Sequence, residues 1–161
     1  MPTFTDGAVV HAADLRPLVG AQPPVYRARQ TSGAQTFTNA TYTDINLDTN
    51  DTDSDSGRTS TTVYTCKTAG LWLITATNTW AANTTGERHI VLVVNGTQIK
   101  NVLQPTESSI SQQITQTLVY MVNLSVNDTV KIQGYQTSGG NLANADPGGG
   151  YASLQMVRIS N

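Results

Sequence analysis

Eleven carboxylates, two histidines and a single cysteine are the groups through which this 161-residue chain could do chemistry. The carboxylates cluster once, along residues 48–57, where Asp48, Asp51, Asp53 and Asp55 alternate with Thr, Asn and Ser before Gly57. Calcium takes six to eight oxygen ligands, so these four acids make a candidate cation loop. The helix–loop–helix calcium pattern is not met, because no Glu stands at the twelfth loop position and neither flank reads as a helix. Asp, Asn and Ser also satisfy their own backbone in turns, and a solvated connecting loop that holds no metal is the expectation adopted.

Glycoside hydrolysis needs two carboxyl groups about 5–9.5 Å apart across a cleft. Glu87 and Glu107 could form such a pair, but nothing in their surroundings singles them out. A serine or cysteine nucleophile needs a positioned base. His11 lies near the N-terminus and His89 beside Arg88, and no Gly-x-Ser-x-Gly elbow is present. Cys66 sits in a strand-like segment, where a thiol packs as a small hydrophobe. One cysteine makes neither an intrachain disulfide nor a cysteine zinc site. Without a helix there is no glycine loop to cradle phosphate, and Gly148-Gly149-Gly150 reads as a loop tip. Six Asn-x-Ser/Thr matches, at Asn39, Asn50, Asn83, Asn95, Asn123 and Asn127, are what chance gives in a chain so rich in these residues. The expectation is a protein without catalysis and without a cofactor.

Composition supports that exclusion. Charged residues are 12% of the chain, about half the usual quarter for soluble proteins. Threonine fills the space, with 25 residues against three lysines. A net charge of −2 with no basic run argues against nucleic acid, which needs a Lys/Arg stripe. No run of 18 apolar residues exists, so membrane insertion is not expected. The start, Met1-Pro2-Thr3-Phe4-Thr5-Asp6, lacks the basic and apolar regions of a secretion signal, and the chain is expected to be made and kept without one.

The elements that would position these groups fall into two parts. Residues 1–35 carry Pro2, Pro17, Pro23 and Pro24 and one short helical turn around Leu15, too proline-marked to stand alone. They read as an N-terminal arm whose apolar residues, Phe4, Val9, Val10, Leu15, Leu18 and Val19, become ordered by packing on a partner, with a freely disordered tail as the alternative. Residues 36–161 read as β throughout, since β-branched Thr suits a pleated, half-exposed surface. From Val63 to Trp80 the chain alternates, placing Trp72, Ile74, Ala76 and Trp80 on one face and Thr75, Thr77 and Thr79 on the other. Trp72, Ile74 and Trp80 are the candidate core. Asn95-Gly96 is a two-residue hairpin signal after the apolar strand 89–94. Further strands are expected at Ile114–Leu124, at Val130 and Ile132 with Tyr135, and at Tyr151–Ile159, the last after a Gly/Asn-rich loop from Thr137 to Gly150. Short strands at this spacing make an all-β sandwich or barrel, preceded by an N-terminal extended arm.

The order of motifs from Val25 to Ile159 resembles the globular domain of the complement C1q-like and tumour-necrosis-factor-like jelly rolls. Pro24-Val25-Tyr26-Arg27-Ala28 is similar to the first strand of that family. Residues 43–50 resemble the segment before its variable loop, and Gly70-Leu71-Trp72-Leu73-Ile74 resembles its glycine followed by alternating aromatic and apolar residues. Asn95-Gly96, Leu118–Leu124 with Asn127-Asp128, and Tyr151-Ala152-Ser153-Leu154 follow in the family's order. The chain departs from the family in lacking a Gly-X-Y stem and in having Trp72 and Ile74 where Tyr and Phe are usual. The resemblance implies a ten-strand, all-β, two-sheet antiparallel jelly-roll sandwich with an N-terminal extended arm, which assembles as a homotrimer and binds other molecules without catalysis. Residues 4–15 also look like the openings of structural proteins of tailed phages. That likeness implies a virion structural protein made in the host cytoplasm. It would be a head decoration, tail spike or fibre knob whose partners are capsid or tail proteins and a host-surface glycan or protein. The alternatives are a soluble adhesion or signalling ligand on the same knob, and a small carbohydrate-active jelly-roll enzyme.

Overall fold

A computed structural model of the chain describes residues 22–105 and 112–160. These form strands only. In chain order they are β1 (Val25–Gln30), β2 (Thr36–Phe37), β3 (Thr43–Asp44), β4 (Thr49–Asp53), β5 (Tyr64–Thr65) and β6 (Gly70–Trp80). Then follow β7 (Glu87–Val94), β8 (Thr97–Pro105), β9 (Ile114–Leu124), β10 (Thr129–Gln136), β11 (Leu142–Ala143) and β12 (Ala152–Ser160). The first sheet has the order β4-β1-β12-β6-β9. The second runs β3-β10-β7-β8, with β5 also pairing on β10, and a short β2–β11 pair stands apart from both. Ten antiparallel strands in two five-stranded sheets make the jelly-roll sandwich that the resemblance implies.

Period-two alternation fills the space between the sheets. On β6 the inward positions are Trp72, Ile74, Ala76, Asn78 and Trp80, all buried. The second sheet answers with Ile90 and Leu92 from β7 and Val130 and Ile132 from β10. Tyr26, Tyr64 and Trp72 stack through the core at centroid distances of 4.7 and 5.9 Å. At the other end Phe37 meets Trp80 edge-on at 4.7 Å. Both buried indoles have partners: Trp72 donates to the Thr68 carbonyl and Trp80 to the Gln116 side-chain oxygen. Gly134 lies beneath the Phe37–Trp80 pair, where a Cβ would come within 2.5 Å of the Phe37 ring, so no larger residue fits. The β7–β8 hairpin turns through Asn95 and Gly96, both with positive φ, as a type I′ turn requires. The Asn95 side chain donates to Asp128 and accepts from the Thr129 amide, each at 2.8 Å, tying this turn to its neighbour.

The structure corrects three expectations and refines two more. Val25–Gln30 pairs along its whole length with β12, so the globular part begins well before residue 36. The Asp-rich segment is half strand, because Thr49–Asp53 pairs with β1 as β4. Tyr135 lies in β10 with Val130 and Ile132 as expected, on the outward face, since Gly134 takes the inward position after Ile132. Thr79 keeps the outward face, bonded to Thr115, but is buried there, because its backbone bonds to Tyr151 and Ala145 fold the loop between them over it. That loop is not featureless, since Leu142–Ala143 forms β11 on Phe37 and Thr36.

Truncation of Trp72 to Ala is expected to cost roughly 3–5 kcal/mol in chemical denaturation, as for large aromatic side chains in cores. Thr77, on the opposite face, shares one hydrogen bond with Ser153. Thr77→Ala is expected to cost about 1 kcal/mol or less. Equal losses at the two positions would show that both faces of β6 are covered.

Candidate functional site

The four carboxylates of the candidate cation loop do not converge. Asp48 accepts the backbone amides and the hydroxyls of both Thr31 and Ser32. Asp51 takes a two-pronged bond from Arg29 at 2.7 and 2.8 Å, with Arg27 at 3.4 Å. Asp53 accepts from the amides of Gly57 and Arg58, and Asp55 from the Tyr64 hydroxyl at 2.8 Å. Each acid is therefore a staple of the fold, tying β4 and the following turn to a different partner. Burial works against ionisation of Asp48, but the bonds from Ser32 and Thr31 outweigh it and hold its carboxyl well below the usual range. The Arg29 bond lowers Asp51 likewise. No group of three or more metal-ligating side chains occurs among the described residues.

The remaining reactive groups are similarly engaged. His89 is nearly buried, with one ring nitrogen facing Asn101 and the other 3.2 Å from Glu87. No serine or cysteine shares that contact. Cys66 donates to the Thr68 carbonyl, and burial pushes its thiol above the ordinary value, away from the thiolate that reactivity needs. Glu107 lies outside the described residues, as does His11. So do the arm residues Phe4, Val9, Val10, Leu15, Leu18 and Val19. Trp72, Ile74 and Trp80 are core residues, fully buried. Among the described residues no helix is long and apolar enough to cross a membrane.

What stands out lies on the sheet faces. On the first sheet, Tyr26, Met156 and Ile74 point inward, so Val25, Val157 and Leu73 point outward. Register places Val25 opposite Val157, Val157 opposite Leu73, and Leu73 opposite Met121. Four strands thus contribute one continuous apolar row to the outer surface. Met121 is 58% exposed and Val119, one register step along β9, 55%. A groove of about 420 Å³ opens along this row between Val25, Leu73 and Val157. Farther along the same face the residues become polar: Arg29, Ser153, Thr77 and Thr117 lie in register. The face is apolar at one end and hydroxyl-lined at the other.

The outer face of the second sheet carries a different row. Tyr135 lies opposite His89, and His89 opposite Leu103. Tyr42 stacks on Tyr135 at 4.5 Å, and His89 meets Tyr135 edge-on at 5.0 Å. Tyr42 and Leu103 are 41% and 49% exposed. Beside the row Asp44 accepts from Lys131 at 2.8 Å and from Gln133 at 2.7 Å. Neither row is singled out by sequence reasoning. The signal available for the first was the double apolar phase of Leu71-Trp72-Leu73-Ile74 and Met156-Val157.

These features define the class: the chain has the fold of the C1q-like and tumour-necrosis-factor-like jelly rolls. It is similar to the globular domain of a zebrafish complement C1q A protein, with a TM-score of 0.61 at 14% identity over 86% of this chain and 99% of the other. Eiger TNF from S. frugiperda gives a TM-score of 0.67 at 10% identity over 88% of this chain and 95% of the other. The vertex protein P5 of PRD1 gives 0.62 at 16% identity over 88% of this chain and all of the other. No family model and no curated protein sequence matches the chain.

Asp48 offers a pH test of the staples. Its pKa is lowered in the folded state, so its contribution is present above the unfolded value and is lost as pH falls through the folded one. Asp48→Asn is expected to be less stable than the parent at pH 7. The gap in denaturation midpoint should begin to narrow below about pH 4 and close only well below it, as pH falls through the folded value. A gap unchanged down to the acid limit would mean that the charge on Asp48 contributes nothing.

Proposed function

We propose that this chain is a non-enzymatic virion structural protein of a tailed phage. It forms a homotrimeric knob that joins the capsid or tail through its N-terminal arm and leaves its outer sheet and loops free for a host surface. The observation that carries this reading is the apolar row Val25–Val157–Leu73–Met121, lying in register across a jelly roll of the C1q/TNF type. A monomer would leave these side chains in water, whereas association recovers about 25 cal/mol for each Å² of apolar surface covered. Closed symmetric assembly is the common way for a sheet with unpaired edges and an apolar face to cover both. Likeness to the vertex protein of PRD1 supports a place on a particle. The near-neutral chain, with its net charge of −2, does not suit nucleic acid as a partner.

A soluble adhesion or signalling ligand is the second reading, favoured by likeness to Eiger TNF and to complement C1q A at comparable TM-scores. Both readings share the trimer and differ in whether the arm seats on a particle. For the carbohydrate-active alternative, the acids of residues 48–55 are committed to the fold and Glu107, the partner weighed for Glu87, lies outside the described residues.

Light scattering of the full chain is expected to give close to three times 17.2 kDa. Leu73→Asp, which places a charge in the apolar row, is expected to give a folded monomer. A monomeric parent at micromolar concentration would overturn the assembly. The arm is tested by deleting residues 1–23. This cut retains Pro24, whose carbonyl accepts from the Arg158 amide, and all of β1. Ordering an arm costs roughly 1–2 kcal/mol per residue, and three tethered arms engaging together offset that cost through avidity. The truncated protein is expected to fold and trimerise but not to co-purify with heads or tails. Normal incorporation would remove the anchor role and favour the soluble ligand.

A further inference from the structure

The aromatic row on the second sheet faces away from the proposed trimer surface, and its chemistry is of a different kind. Tyr42 rests one ring face on Tyr135 at an interplanar angle of 29°, and at 41% exposure its other side is open to solvent. Tyr135 is held in turn by the edge-on His89, whose ring is fixed by Asn101 and Glu87. Rigid, amphipathic tyrosine rings supply contact area at little entropic cost. An aromatic face carries the negative part of the ring quadrupole, which suits C–H groups made positive by neighbouring oxygens. A pyranose presents just such C–H groups on one face and hydroxyls around its rim.

The surroundings of the row match that rim. Gln133 uses its amide nitrogen on Asp44, which leaves its carbonyl oxygen to accept. Glu87 uses one carboxylate oxygen on His89, leaving the second. Asn101 and the two phenol hydroxyls add groups that donate as well as accept, as sugar hydroxyls do. Lys131 is held by Asp44, so the neighbouring charges are balanced and an anionic ligand gains nothing from them. Size excludes a protein partner for the row itself. Its apolar contacts are Tyr42, Tyr135 and Leu103, against roughly 20–30 residues a side in a stable protein interface. From Tyr42 to Leu103 the row spans three strand spacings, about 14 Å, which suits a short oligosaccharide.

We propose that Tyr42 and Leu103, with Tyr135 and the nearly buried His89 as their rigid backing, form a carbohydrate-binding platform for a neutral, pyranose-based oligosaccharide, with Glu87, Asn101 and Gln133 bonding its hydroxyls. The proposal rests on the reading of the chain as a surface-binding knob, but not on its being a trimer.

The test is a heteronuclear NMR titration of the full chain with four neutral probes: maltotriose, cellotriose, mannotriose and tri-N-acetylchitotriose. At least one is expected to shift the ring resonances of Tyr42 and Tyr135 at concentrations up to about 10 mM. Tyr42→Ala is expected to weaken that binding by about tenfold or more without moving the melting temperature, while Tyr42→Phe retains most of it. The monomer made by Leu73→Asp keeps the row intact and is expected to bind the free trisaccharide as the parent does. Failure of the trimer and failure of the platform are therefore read separately. Silence of all four probes at the two tyrosines overturns the platform. So does sugar binding that survives Tyr42→Ala, or a protein ligand that Tyr42→Ala abolishes while no sugar binds.

Discussion

Strand β6 is hydrogen-bonded on both edges, to β9 from Gly70 to Trp80 and to β12 from Leu71 to Asn78, and the rest of the structure depends on that pairing. A strand held from both sides cannot slip by one residue without exchanging its faces. Its register therefore decides that Trp72, Ile74, Ala76 and Trp80 are core and that Leu71, Leu73, Thr75 and Thr77 are not. The second sheet must then supply a complementary surface, and it does so residue by residue. Ile90, Leu92, Val130 and Ile132 are the large answers, and Gly134 is the small one beneath Trp80. The same register that fills the core also lines up Val25, Val157, Leu73 and Met121 outside it.

The two ends of the sandwich are held by different chemistry. Around Trp72 the core is aromatic and aliphatic. Around Trp80 it is built from amides: Asn144 donates to Gln30 and Asn78, Gln136 to the Phe37 and Gly140 carbonyls, and Gln116 to the Arg88 and Val102 carbonyls. Arg88 is wholly buried here, its guanidinium bonded to the Glu87 carbonyl, and burial lowers its pKa. Networks of this kind fix the loops that cross them, because each broken bond leaves a buried group unpaired. A chain with 12% charged residues thus uses neutral polar groups where ion pairs might otherwise stand.

The architecture was legible because β6, β9 and β12 alternate cleanly, and because Gly70 marks the start of β6 and Asn95-Gly96 the turn from β7 to β8. The misreadings have local causes. β1 alternates Tyr26, Ala28 and Gln30 inward, but its partner β12 lies at the far end of the chain, and no local pattern announces that pairing. β4 is an edge strand whose residues are largely exposed, so it has no apolar alternation to distinguish it from a loop. The surface rows needed register, which is a property of pairs of strands. Leu73 is visibly apolar in the sequence, but only its alignment with Val157 and Met121 makes it part of a face.

The Asn95-Gly96 turn carries a consequence for how the protein ages. Asparagine before glycine loses ammonia when the following amide nitrogen attacks the side-chain carbonyl carbon, giving a succinimide that opens to aspartate or isoaspartate. Attack requires the side chain to swing back over its own backbone. Here the Asn95 amide nitrogen is bonded to Asp128 and its oxygen to the Thr129 amide, so that swing would break both contacts. The sequence pair most prone to this decay in an open chain is thereby shielded in the folded one. The shield depends on Asp128, whose carboxyl is held below its ordinary pKa by the Asn95 bond and the Ser125 amide. Chemical longevity at this tip is therefore a property of two turns acting together, and unfolding either one starts the clock.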